Sequence, residues 1–174
     1  MKKWVLLLVC IIAVGAAVVF YYPRLHEPEP AVEETMVSPL KPGTYRVEFS
    51  EPDERGWKAF FAMEVNSAGE IAQANFDYIS AAGILKTQDQ AYNTRMKAAN
   101  GLGPSEYCPR FAKNLLIYQN PEQVDGITGA TSSYHDFKEF AQKAFAAAHT
   151  GSQEVIYLSQ PKAEEHEQEE AEES

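Results

Sequence analysis

The chain has 174 residues, enough for one domain of ordinary size with appendages, and 45% of them are hydrophobic. Its formal net charge is −10, and seven glutamates face one lysine from Pro161 to Ser174, so −6 belongs to that end and −4 to the rest. There is no basic stripe for nucleic acid, and two cysteines with four scattered histidines give neither a disulfide framework nor a zinc-binding spacing.

Met1-Lys2-Lys3 is followed by Trp4 to Tyr22, a stretch with no charge. About 20 apolar residues span a bilayer core, and lysines before the span keep that end in the cytosol. Residues 1–22 are therefore read as a single-pass anchor with the rest of the chain on the extracytosolic side. A cleavable signal peptide ending near Gly15-Ala16-Ala17 is the alternative, opposed by the apolar residues that continue past Ala17. Lipidation at Cys10 is disfavoured because Val9 precedes it. Residues 23–42 hold five of the ten prolines, interspersed with glutamates, and read as an extended stalk. The domain is placed at 43–159, and the glutamate-rich end, 160–174, is read as a disordered tail.

Within the domain, Tyr45, Val47 and Phe49 alternate with polar residues and predict a half-buried strand. A second strand runs from Trp57 to Val65 with Trp57, Phe61, Met63 and Val65 on one face. Asn66-Ser67-Ala68-Gly69 predicts a hairpin turn. A third strand follows, with Ala72, Ala74, Phe76 and Tyr78 inward and Gln73, Asn75 and Asp77 outward. Thr87 to Ala99 reads as a helix with Thr87 and Gln90 at capping-box spacing, ended by Asn100-Gly101. Gly101-Leu102-Gly103-Pro104 reads as a linker, or as a loop that approaches a ligand. Ser105 to Tyr118 predicts a second helix, with Pro109 tolerated only in its first turn. Val155 to Leu158 is a candidate edge strand. The class is α+β, a small antiparallel sheet of three or more strands packed against two or three helices.

The most informative stretch runs from Asp125 to Ser133 and reads DGITGATSS. It enters an amphipathic run, Tyr134 to His149, with Phe137, Phe140, Ala141, Ala144, Phe145 and Ala148 at helical spacing. A helix start presents unpaired N–H groups and the positive end of the macrodipole, which favour an anion such as phosphate. Gly126 and Gly129 permit positive φ and close approach, and Thr131, Ser132 and Ser133 carry hydroxyls of the capping kind. A plain capped turn is the simpler reading of the same residues.

Asp125, Thr128, Gly129, Ala130 and Thr131 match D-x-x-T-G-A-T, which resembles the flavinylation motif of FMN-binding domain proteins, a family that includes one component of the sodium-translocating NADH:quinone reductase. Gly43-Thr44-Tyr45, Gly56-Trp57-Lys58, and Tyr92-Asn93 followed by Gly101-Leu102-Gly103-Pro104 are also similar to small membrane-anchored members. The resemblance covers roughly Pro42 to Ala148. It implies FMN esterified through its phosphate to Thr131, with Ala130, Gly129, Thr128, Asp125 and Ser132 around it. It further implies installation by an FAD-dependent, magnesium-requiring transferase of the ApbE type. The electron donor it implies is a membrane quinone reductase or the quinol pool, and the acceptor lies outside the cytosol. The protein would be an electron-transfer component rather than a stand-alone enzyme, the chemistry being the cofactor's. Trp57, Tyr78, Tyr92 and Tyr107 are candidates to stack on the flavin, with core packing as the competing role. A non-covalent ligand-binding sensor and a surface adaptor are the alternatives.

Overall fold

The computed structural model describes residues 39–161. The expected anchor, most of the stalk and nearly all of the acidic tail lie outside the described residues. Among those described, no helix is long and apolar enough to cross a membrane.

The predicted meander is present as β1 (Gly43–Phe49), β2 (Trp57–Val65) and β3 (Ile71–Ser80), paired antiparallel. The alternation of β1 and β2 decides which face is buried. Tyr45, Val47 and Phe49 with Ala59, Phe61, Met63 and Val65 all face the interior. The hairpin turn closes as expected, with the Asn66 side-chain oxygen accepting from the N–H of Ala68 and of Glu70.

Three strand assignments change. Ala72 is exposed and Ile71 is buried in its place, because the β2–β3 register shifts opposite Glu64 and Val65 and leaves Ala72 unpaired. Asp77, expected outward, is buried under the following loop, where its carboxylate accepts from the Thr87 hydroxyl and from the N–H of Tyr78 and Thr87. The third change is in the sheet itself. A fourth strand, β4 (Ile156–Leu158), joins the free edge of β1 in parallel, so the sheet is mixed with order β3-β2-β1-β4.

The helices are α1 (Gln90–Asn100), α2 (Pro104–Tyr118) and α3 (Thr131–Thr150). α1 begins later than the capping-box spacing suggests. Asp89 caps it, accepting from the N–H of Tyr92 at 2.9 Å, while Thr87 is engaged by Asp77. α2 starts with Pro104 at its first position, so Pro109 falls beyond the first turn. It is tolerated there because Pro109 and Ser105 are both exposed, and the Ser105 carbonyl it leaves unpaired can face water. α2 ends at Gln119, the one non-glycine with positive φ among the described residues (57°). Its side-chain amide holds it there, accepting from the Ile71 N–H at 2.7 Å and donating to the Ile71 carbonyl at 3.0 Å.

α2 packs on β3, and α3 packs across β1 and β2. Phe137 of α3 stands at the centre, fully buried, with ring centroids 5.9 Å from Phe61, 5.6 Å from Phe76 and 5.1 Å from Phe111. The end of α3 lies beside the start of β1, where the Lys41 N–H donates to the Ala148 carbonyl at 2.9 Å. A strand that follows therefore runs in the same direction as β1.

The outer face of the sheet carries a buried charge. Glu48 is 8% exposed and accepts from Arg46 at 2.7 and 2.9 Å and from Lys58 at 3.0 Å. Burial alone would raise its pKa, but the bonds to Lys58 and Arg46 outweigh that and hold it below the ordinary carboxylate value. Its stabilisation is therefore present above the unfolded pKa of about 4.3 and is lost as pH falls through the folded value. Glu48→Gln is expected to lower stability by about 1 kcal/mol at neutral pH, because both cations are partly in water. The loss should shrink towards zero in strong acid. Urea unfolding of both proteins at the two pH values checks it, and an equal cost at each would show that the charge is irrelevant.

Candidate functional site

The motif loop follows a 3-10 turn, Pro121–Gln123, and is tied down before it reaches α3. Val124 is buried, and its carbonyl accepts from the Tyr134 hydroxyl at 3.0 Å. Gly126 does not have positive φ. Its role is contact, since a Cβ there would rest 3.4 Å from the Tyr134 ring. Ile127 to Ala130 forms a tight turn closed by the Ala130 N–H on the Ile127 carbonyl at 2.9 Å. Gly129 occupies its third position at φ 84°, which is the type II geometry.

Thr131 is the first residue of α3 and is exposed. The expected hydroxyl caps are not formed. Ala130 occupies the cap position without a side-chain bond, and Ser132 and Ser133 are already inside the first turn. No acidic residue stands in that turn. Among the described residues, the opening N–H groups and the positive end of the helix thus have no capping side chain.

This helix start forms one wall of a cavity of about 420 Å³, within the range of small-molecule sites, roughly 300–1,000 Å³. Gly129, Ala130, Thr131, Ser132 and Ser133 line one side of it. It is also lined by Tyr78 near the end of β3, Tyr92, Met96 and Asn100 of α1, and Tyr107 of α2. Lys86, Asp136 of α3, and Asp53 and Arg55 of the β1–β2 loop complete the lining. Asp125 and Thr128 are exposed and do not line it. Of the four candidate stacking rings, Tyr78, Tyr92 and Tyr107 line the cavity, while Trp57 meets Tyr92 edge-on in the core at 5.6 Å.

The phenols here are donors. Burial first, then the Asp136 carboxylate, pushes the Tyr78 pKa far up, and its hydroxyl donates to Asp136 at 2.8 Å. Burial likewise raises Tyr107, and the Ser133 hydroxyl between the two phenols offsets part of both shifts. Cys108, behind them, is a free, buried thiol held protonated chiefly by burial. Among the described residues no group of three or more His, Cys, Asp or Glu is arranged to hold a metal ion.

Sequence reasoning misses Lys86. It is 5% exposed, although it lies in the loop between β3 and α1 rather than on a patterned element. The rings around it come from Trp57, Tyr78 and Tyr92, on three different elements, so no local pattern marks it. Asp136 and Arg55 are missed for the same reason.

No family model matches the chain. It is 36% identical over 119 residues to the 15 kDa lipoprotein of Treponema pallidum (strain Nichols), a match covering 68% of this chain and 84% of that protein. The crystal structure of the CPE2226 protein from Clostridium perfringens shares the fold with a TM-score of 0.66 and 35% identity, over 70% of this chain and 99% of that one. With more than a third of residues shared across most of its length, this chain belongs to the family of the 15 kDa lipoprotein.

Proposed function

We propose that this protein is an extracytosolic flavoprotein, held at the membrane, that carries FMN esterified to Thr131 and relays electrons from a membrane quinol or quinone reductase to an acceptor outside the cytosol. The observation that carries the reading is the position of Thr131. An exposed hydroxyl stands at the uncapped, positive start of a helix, on the wall of a cavity lined by three tyrosines and a lysine. Those features suit a phosphate joined to a flat aromatic ring system. Attachment to the membrane is supported by the lipoprotein relative and by the uncharged Trp4 to Tyr22 stretch, for which a single-pass anchor is the proposed form.

In maturation by an ApbE-type transferase the Thr131 oxygen loses its proton and bonds to the flavin-side phosphorus of FAD, and AMP leaves. FMN, once bound, supplies one- and two-electron redox chemistry. The chain's own residues fix it and shield it. The N–H groups of Thr131, Ser132 and Ser133 would face the ester's remaining charge, Gly129 would let the backbone come close, and the tyrosines would shield the ring from water. Covalent attachment suits an exported carrier, from which a dissociable cofactor would be lost by dilution.

The test is co-expression with an active flavin transferase, followed by denaturation and peptide mapping. The flavin mass is expected on the peptide containing Thr131. Thr131→Ala should abolish it while changing stability by less than about 0.5 kcal/mol, since the hydroxyl caps nothing. Thr131→Ser keeps the oxygen and should retain part of the loading. Wild-type protein without flavin on that peptide would defeat the carrier reading and favour a non-covalent binding module.

A further inference from the structure

We propose that Lys86 is the fixed cation that sets the electron affinity of this site, placed to meet the negative charge that a flavin ring acquires on reduction. The proposal rests on the flavin reading above.

Lys86 is pinned by its backbone. Its N–H donates to the Tyr78 carbonyl at 2.8 Å, and its own carbonyl accepts from the Asn93 side chain at 2.9 Å. The ammonium lies 3.8 Å from the Tyr78 ring centre, 5.0 Å from Tyr92 and 5.7 Å from Trp57. Ring faces attract a cation but do not neutralise it. Among the described residues the ammonium has neither a hydrogen-bond acceptor nor an ion-pair partner. A side chain this buried ordinarily has one. No polar side-chain atom among the described residues is both fully enclosed and without a hydrogen bond, so the ammonium is the part of Lys86 that still reaches the cavity.

The groups facing it make no direct bond to the ammonium, although the Asp77 and Asp136 carboxylates keep their negative charge nearby. Asp77 of β3 is committed to Thr87 and to backbone N–H groups. Asp136 of α3 accepts from Tyr78, and the Tyr78 and Tyr107 phenols and the Cys108 thiol stay protonated. Tyr92 of α1 offers only its ring. In the β1–β2 loop, Asp53 is held by the N–H groups of Arg55 and Trp57, and Arg55 is exposed. A direct bond to the ammonium is therefore left for an acceptor on a ligand to make.

The ester would keep the phosphate at exposed Thr131, which leaves the buried floor to the ring system. A quinol donor gives two electrons and two protons and becomes the quinone. A flavin held here would take both electrons and one proton, the second proton going to water, and would then carry one negative charge at its N1–C2 carbonyl edge. A lysine ammonium at that edge favours the reduced form and makes the site a better electron acceptor.

The experiment loads wild type, Lys86→Met and Lys86→Arg alongside the transferase, verifies flavin on the Thr131 peptide by mass, and measures the two-electron midpoint potential by dye-equilibrated reduction. Lys86→Met should weaken the preference for reduced flavin about tenfold or more, a drop of roughly 30 mV or more for a two-electron couple. Lys86→Arg should restore most of it. Should Lys86→Met not fold, wild type alone decides. In mildly acid solution it should take up one proton per two electrons, where free FMN takes up two. Equal potentials in a loaded pair, or two protons per two electrons in wild type, overturn the role of Lys86 and leave the carrier reading standing. Absence of flavin from Thr131 in wild type overturns both.

Discussion

Phe137→Ala is expected to cost about 3–5 kcal/mol, the range for deleting a fully buried phenylalanine. Phe137 is 0% exposed, stacked on Phe111 and edge-on to Phe61 and Phe76, so four elements lose contacts at once. Phe76 and Phe111 cannot close the gap, because each is itself fixed by other aromatics of the cluster. Against a total stability of roughly 5–15 kcal/mol, this is a large fraction. The melting temperature should fall by roughly 10–20 °C. Phe145, on the same helix but only partly buried, is the comparison, and its alanine variant should lose about a third as much. Thermal unfolding of both variants checks the difference. Similar losses from the two would mean that α3 is not seated by Phe137.

Gly129→Ala is expected to cost about 2–5 kcal/mol and, on the proposed flavin reading, to remove loading with it. At φ 84° any side chain is strained, by about 1–2 kcal/mol. A Cβ there would also meet the Asn100 carbonyl oxygen at 2.4 Å and Leu102 at 2.8 Å. Overpacking against backbone adds roughly 1–3 kcal/mol, because the end of α1 would have to move. Gly101 is the control. It has nearly the same φ, 82°, but nothing within 4 Å of where a Cβ would stand, so Gly101→Ala should cost only about 1 kcal/mol and load normally. Urea midpoints for the pair, with flavin mass measured on each, separate contact from conformation. If both variants behave alike, the motif loop does not depend on its seat against α1.

The meander and the three helices were legible because each carries its own period. Alternation in β1 and β2 and the 3.6-residue spacing from Phe137 to Ala148 are local signals that burial then enforces. The fold class follows from them, and the shared fold with the Clostridium perfringens structure agrees. What was not legible depends on what folds over what. Asp77 sits at an outward position in its strand and is buried only because Thr87 returns to it. The cap of α1 went to Asp89 for the same reason, since Thr87 was already engaged. At the site, the glycine turn and the helix that follows it could be read, whereas the wall built from other elements could not. That wall is assembled from Tyr78, Lys86, Tyr92 and Tyr107, none within 20 positions of Thr131 in sequence.

The parallel pairing of β4 with β1 sets Val47 beside Ile156, 109 positions apart, and beyond it Ser50 is tied to the Leu158 carbonyl. That bond fixes an order in time. A chain that emerges from the ribosome N-terminus first presents β1 long before its last neighbour arrives. Such distant closures are entropically costly and come late. Until then the outer edge of β1 is an open template for any other extended chain. The motif loop and all of α3 are present by residue 150, but the sheet is finished only by the three residues of β4. The interval between those two points is when this domain is most exposed to mispairing, and its length is set by how fast the last eight residues emerge.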